Sequence, residues 1–210
     1  MLRVAVMTLF FYYVCTSSVF AVDKKDVPEY KQTIAGLYIT SNEAFVEIQS
    51  EGNEILFLDV RTRSEIAVVG MPTAADANVP YMFMAEPMTW SDDWEGFKMT
   101  GNPDFLNAVK QRLEEKGLTQ DDKVFLMCRS GGRSASAVDL LTKAGFTNAY
   151  SVVDGYEGDT AKNGKRILNG WKNSDLPWSY ALDKNKMYQD KIDSERVMLC
   201  KSECYESSFC

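Results

Sequence analysis

Lys123-Val124-Phe125-Leu126-Met127-Cys128-Arg129-Ser130-Gly131-Gly132-Arg133-Ser134 is a short apolar run, then one thiol, then two arginines, two hydroxyls and two glycines. The run follows the polar Gln120-Asp121-Asp122 and has strand character. Beyond it Ala137, Val138, Leu141 and Ala144 recur at helical spacing, with Leu140 beside them, and Gly145 is a natural stop. Cys128 is therefore expected in a strand-to-helix turn. There the glycines let successive N–H groups point inward as an anion-binding nest, and the helix adds its positive N-terminal end. Arg129 and Arg133 add full charges. Such a loop favours the thiolate, the nucleophilic form of cysteine, without a histidine, and the chain has none. A cysteine by itself would read as a small buried hydrophobe. The arginines and the Gly131-Gly132 pair around Cys128 point instead to chemistry.

Outward from this stretch, strands and helices alternate. Gly36-Leu37-Tyr38-Ile39 reads as a first strand, and Thr40 with Glu43 fits a capping box opening a helix that turns Ala44, Phe45 and Ile48 inward. Ile55 to Val60 is a second strand, dense in apolar residues. Asn102-Pro103-Asp104 opens a helix with Phe105, Val109 and Leu113 on one face and Gly117 as its stop. A last strand covers Ala149 to Val153. This alternation predicts an α/β fold, an open, mostly parallel sheet with helices on both faces. Ligands of such sheets bind beyond the carboxyl ends of the strands, where both Asp59-Val60-Arg61 and Cys128 stand, so the two motifs should be neighbours.

The loop Cys128 to Ser134 resembles the active-site loop of rhodanese-type sulfurtransferases, and the likeness extends over about residues 36 to 180. Leu58-Asp59-Val60-Arg61 with Glu65 looks like the strand and turn before the family's first motif. Gly70, Pro72 and Asn78-Val79-Pro80 fall where the family has its Gly-His-Ile-Pro and Asn-Ile-Pro segment. Tyr150 to Gly155, Gly170-Trp171 and Leu176-Pro177 resemble its closing strand, glycine turn and Trp-containing end. Met71 replaces the usual histidine, Asp76 stands where a small residue is common, and residues 81–103 and 159–169 look like insertions. These departures bear on substrate choice.

The resemblance implies a rhodanese-like fold and a sulfurtransferase. Cys128 would take a sulfane sulfur from a small anionic donor such as thiosulfate, carry it as a persulfide, and give it to a thiol or other thiophilic acceptor. In that reading Arg129, Ser130, Gly131, Gly132, Arg133 and Ser134 bind the donor and the anionic sulfur, with a helix-terminal role equally open to Ser134. Asp59 and Arg61 support the loop and its ion pairs; the plainer reading is a surface salt bridge between Arg61 and Glu65. A cysteine phosphatase or arsenate reductase also cradles an anion beside a cysteine. However, four residues separate Cys128 from Arg133 where phosphatase-like loops have five, and Met127 occupies the place of their usual histidine.

The whole chain bounds these readings. With 210 residues, 45% hydrophobic and 25% charged, it can build one good core. A net charge of −7 repels polyanions, which argues against nucleic acid or anionic lipid as partners and leaves the loop as a local positive spot suited to a small anion. Arg3, the apolar Val4 to Val14 and Val19-Phe20-Ala21 read as a signal peptide over residues 1–21, with cleavage before Val22 giving a periplasmic or secreted product and no stable membrane insertion thereafter; the alternative is an uncleaved anchor, against which Tyr12, Tyr13, Thr16, Ser17 and Ser18 interrupt the apolar run. The expected rhodanese-like domain covers 22–182. Residues 183–210 read as a polar extension carrying Cys200, Cys204 and Cys210, a set open to a disulfide, to redox thiols or to a thiol partner. A metal site there lacks a fourth ligand, so no metal or cofactor is expected. The segment Tyr81 to Phe97 carries Met82, Phe83, Met84, Met88, Trp90 and Trp94, which suits either a flap over the site or a satellite core. The tail also opens an alternative function, a sulfur or redox relay through Cys128 and the tail cysteines.

Overall fold

The computed structural model describes residues 22–93 and 95–189. The signal-like segment, Trp94 and the three tail cysteines lie outside the described residues.

Five parallel strands form the central sheet: β1 (Tyr38–Ile39), β2 (Ile55–Asp59), β3 (Ala77–Asn78), β4 (Lys123–Met127) and β5 (Ala149–Val152), in the order β1-β5-β4-β2-β3. The two central strands, β2 and β4, are covered on both faces, which is why they read as continuous apolar runs rather than alternating ones. Leu56, Leu58, Val124 and Leu126 point to one face, where helices α3 (Phe105–Lys116) and α4 (Gly132–Lys143) cover them. Ile55, Phe57, Phe125 and Met127 point to the other, against α1 (Ser41–Glu51), α2 (Arg63–Val69) and the indole of Trp171. Burying side chains of this size stabilises the fold by about 1.5–3 kcal/mol each. The expected sheet with helices on both faces is what the chain builds.

Local chemistry sets the helix ends. Thr40 and Glu43 close the expected capping box on α1, and Thr62 with Glu65 closes a second one on α2. Gly117 ends α3 in the left-handed conformation, its N–H bonded to Leu113 and Glu114 carbonyls.

Two of the departures from the family pattern serve this frame. Met71 is buried in the core on the α1/α2 face. Asp76 accepts a 2.8 Å bond from the Phe57 N–H and a 2.7 Å ion pair from Lys116, fixing the strand edge between β2 and β3. The 81–103 segment forms two short antiparallel pairs, Met82–Met84 with Met99–Gly101 and Trp90–Ser91 with Gly96–Phe97. Its root joins the core, where Tyr81 meets Phe105 edge-on at 5.2 Å, while Trp90 and Phe97 stay 53% and 47% exposed. Beyond Leu182 the chain keeps contact with the domain. Met187 bridges to Asn78, the Tyr188 N–H donates 3.0 Å to the Asn78 carbonyl, and Arg112 donates to the Asn185 and Met187 carbonyls, so residues 185–188 cover the exposed edge of β3.

Candidate active site

Cys128 follows directly on β4, and α4 begins four residues later at Gly132. The turn between them folds around the sulfur. The Gly131 N–H donates to Cys128 Sγ at 3.1 Å, and Ser134 Oγ lies 3.5 Å from Sγ. Ser134 is fully buried. Its hydroxyl also bonds the Gly131 carbonyl and Ser151 Oγ, each at 2.9 Å, so it braces the loop while standing beside the sulfur. Cys128 itself is 1% exposed. Any group reacting at Sγ must therefore approach from the solvent side of the loop.

Two glycines are required by close approach. Gly131 has φ +97°, and a Cβ there would come within 2.2 Å of the Val153 carbonyl oxygen. Gly155, φ +65°, passes beneath the loop, where a Cβ would sit 2.7 Å from the Cys128 carbonyl oxygen and the Ser130 nitrogen. This lets the 154–158 turn bond the loop from below: the Tyr156 N–H donates to the Cys128 carbonyl and the Glu157 N–H to that of Arg129, both at 2.9 Å.

The two loop arginines are not equivalent. Arg133 is held by Glu65 in a two-pronged ion pair, with Nη1 to Oε2 at 2.7 Å and Nη2 to Oε1 at 2.5 Å. Burial opposes ionisation of Glu65, but the hydrogen bonds and charge of Arg133, with those from Thr62, outweigh it and bring its pKa down to about 2. Burial likewise disfavours the Arg133 cation, yet Glu65 and, to a smaller extent, Cys128 and Asp59 raise its pKa. Arg129 is exposed, and its side chain makes no hydrogen bond or ion pair among the described residues. Ser130 is partly exposed at the same mouth.

The Asp59–Val60–Arg61 motif is a neighbour of the loop, as its place at a strand end implies: the Val60 N–H donates 2.8 Å to the Met127 carbonyl. The expected surface salt bridge between Arg61 and Glu65 does not form. Arg61 is fully buried and paired with Asp59 through Nε and Nη2, donates 2.8 Å to the Gly70 carbonyl, and stacks 3.8 Å from the centre of the Tyr156 ring. Glu65 is instead the partner of Arg133. Burial works against the Arg61 cation, but the charge and hydrogen bonds of Asp59 prevail and raise its pKa. Through Tyr156 this buried pair supports the backbone that grips Cys128. Asn78 completes the joint, its amide donating to the Asp59 and Arg61 carbonyls at 2.9 Å each.

The roles of several of these supports are not legible in the sequence. Ser151 and Asp154 fall in the 150–155 segment that resembles the family's closing strand, but only the sheet gives them, and Tyr156, their partners. Asp154, buried, accepts from the Ser41 N–H and hydroxyl and from the Gly170 N–H, tying α1 to the turn under the loop. Lys31 also stands against the loop, from a polar segment with no periodicity.

The arrangement as a whole is a loop wrapped around one buried thiol at the carboxyl end of a central strand. The family model for the rhodanese-like domain matches residues 41–162. The chain belongs to the rhodanese-like domain family. An uncharacterized protein of Rickettsia conorii is 31% identical over 142 residues, covering 68% of this chain and 96% of that protein. Thiosulfate sulfurtransferase 16, a chloroplast protein of Arabidopsis thaliana, is 38% identical over 108 residues, 51% of this chain and 75% of its own length. Among solved structures, Rv0390 from M. tuberculosis superimposes with a TM-score of 0.53 at 30% identity, over 68% of this chain and 96% of that one. Sulfurtransferases are thus among the relatives of this rhodanese-like chain. Among its described residues no helix is long and apolar enough to cross a membrane.

Proposed function

We propose that this rhodanese-like protein is a sulfurtransferase in which Cys128 carries the sulfur. The observation that carries the reading is the Gly131 N–H aimed at a buried Cys128 Sγ at the start of α4, because a fixed donor and a helix N-terminus stabilise an anion on that sulfur. With thiosulfate, the Cys128 thiolate attacks the outer sulfur, the sulfur–sulfur bond of the donor breaks, and its electron pair leaves with sulfite. The product is an anionic persulfide on Cys128. An acceptor thiolate then takes the terminal sulfur, and the Cys128 thiolate returns, so the two steps are balanced and need no oxidant. Arg129, free at the mouth, attracts and orients the anionic donor, while Arg133 shapes the loop through Glu65. On the signal-like pattern of residues 1–21 we propose the periplasm or the exterior of the cell as the site of this chemistry; an exported chain whose mass corresponds to a start near Val22 would support it, and an intact intracellular chain would count against it.

Treatment of the full chain with thiosulfate followed by peptide mass mapping tests the mechanism. One added sulfur is expected on the Cys128 peptide, and none in Cys128→Ser. A chain that stays unlabelled with thiosulfate, 3-mercaptopyruvate and glutathione persulfide is no sulfurtransferase of this kind.

One observation bears on an intramolecular acceptor as a second reading. Arg63, in the first turn of α2, donates 2.9 Å to the Tyr188 carbonyl, so the last described residues are anchored beside the helix that supplies Glu65. Cys200 lies eleven residues beyond Gln189, an extended reach of about 36 Å. A tail thiolate would take the outer sulfur, because the inner one is buried, leaving a tail persulfide and no disulfide to Cys128. Sulfur moving from the Cys128 peptide to the tail peptide at a rate independent of protein concentration supports this relay. Sulfur that stays on Cys128, or a Cys128 disulfide, counts against the relay alone.

A further inference from the structure

Lys31 precedes the family-matched residues by ten positions, in the polar stretch before β1, yet its side chain is only 1% exposed. Its ammonium donates 2.6 Å to Asp159 Oδ1 and 3.1 Å to the Val153 carbonyl. Ser151 pairs with Leu126 across β5 and β4, so Val153 is level with Cys128 in the sheet. The stem of Lys31 lies directly against the loop, since a Cβ on Gly131 would meet Lys31 Cδ at 2.9 Å. Gly131 is the residue whose N–H holds the sulfur. The neighbouring Tyr30 lies over Gly132, 3.6 Å from where a Cβ would be, and the Ile34 N–H donates 2.7 Å to Asp139 on α4. The segment from Tyr30 to Ile34 thus straps the back of the cradle to the helix that opens from it.

An apolar side chain of similar length, such as methionine, would fill this space without taking an ammonium out of water, a desolvation that pairing must offset. The charge is of use where the site becomes anionic, as thiolate or as persulfide. We infer that Lys31 is a positioning residue for the Cys128 anion: it locks Gly131 with its N–H on the sulfur and keeps a positive charge behind the loop, with Asp159 setting how much of that charge the sulfur feels. The inference rests on Cys128 being the nucleophile, but not on what it transfers.

The other charged or titratable groups around the loop and Asp159 are Arg129 within it, Arg133 and Asp139 on α4, Glu65 on α2, Asp59 and Arg61 at the end of β2, Asp154, Tyr156 and Glu157 in the turn beneath, and Arg166, which bonds the Gly158 carbonyl and also acts on Asp159. All are kept in the test. The rate of Cys128 alkylation by iodoacetamide is followed against pH in the full chain, with the melting temperature measured in parallel. Lys31→Met should move the midpoint up, so that alkylation at a fixed pH below it slows about tenfold. Lys31→Arg, which keeps the charge, should recover most of the shift. Asp159→Asn should move the midpoint down, opposite to Lys31→Met, whereas a scaffolding role predicts the same loss from both. An unchanged midpoint in folded Lys31→Met overturns the inference. If that variant does not fold, Asp159→Asn decides alone: a downward shift supports the role of Lys31, and no shift or an upward one overturns it. Because alkylation requires no sulfur donor, this result is separable from a failure of persulfide formation.

Discussion

Two ion pairs flank the cradle, Asp59–Arg61 and Glu65–Arg133, built from the same chemistry at different depths. The first has both side chains fully buried; the second keeps 22% of Glu65 and 19% of Arg133 in contact with solvent. The inner pair makes no direct hydrogen bond to Cys128 or Arg133 and supports the site mainly through Tyr156 and the strand ends, so it belongs to the scaffold. The outer pair joins α2 directly to the reactive loop, and its charges reach Cys128. Depth thus separates the arginine that holds the fold from the one that holds the loop, and the exposed Arg129 from both. A buried charge must be matched where it lies, while one at the mouth can wait for a ligand.

The comparison is most exposed at its deep end. Arg61→Met would leave Asp59 as an unpaired buried carboxylate, and a loss of about 3–5 kcal/mol is expected from urea unfolding. A loss within the range of a surface substitution would mean that the inner pair is not the scaffold described. Glu65→Gln should cost less, about 1–3 kcal/mol near neutral pH, because the Arg133 donors lose a charged partner but keep some access to water. This cost should also depend on pH. The folded pKa of Glu65, about 2, lies below its ordinary value of 4.5. Its contribution is therefore fully present above pH 4.5 and is lost as pH falls toward 2. Wild type and Glu65→Gln should converge over that window, and a constant gap would assign the cost to something other than the carboxylate. Arg129→Ala should be the mildest for the fold, within about 0.5 kcal/mol, yet should raise KM for thiosulfate roughly tenfold, the loss expected of one charged contact. A stability loss matching that of Glu65→Gln, with KM unchanged, would erase the distinction between the loop arginines.

Much of this was legible in the sequence. The apolar runs Ile55 to Leu58 and Val124 to Met127 are too short for helices and too uniformly apolar for a one-sided sheet, so a parallel core follows from them. The capping box at Thr40 and Glu43 is a local pattern, and local hydrogen bonds formed it as read. Cys128 at a strand-to-helix turn was equally clear, because the glycines there leave the backbone few other uses. The partner of Glu65 was not. Arg61 is four residues away and Arg133 is 68, and proximity along the chain favoured the wrong one.

The sequence by itself determined the strand order's raw material, the place of the thiol and the charge around it, because periodicity, turn chemistry and capping act over a few residues. Only the tertiary structure decided which charges meet. It drew Arg61 inward onto Asp59 and Tyr156, gave Arg133 to Glu65, left Arg129 at the mouth, and carried Lys31 across about a hundred residues of chain to the back of Gly131. The physical reason is that an ion pair depends on distance and burial, and both are set by how the sheet and its helices pack rather than by spacing along the chain.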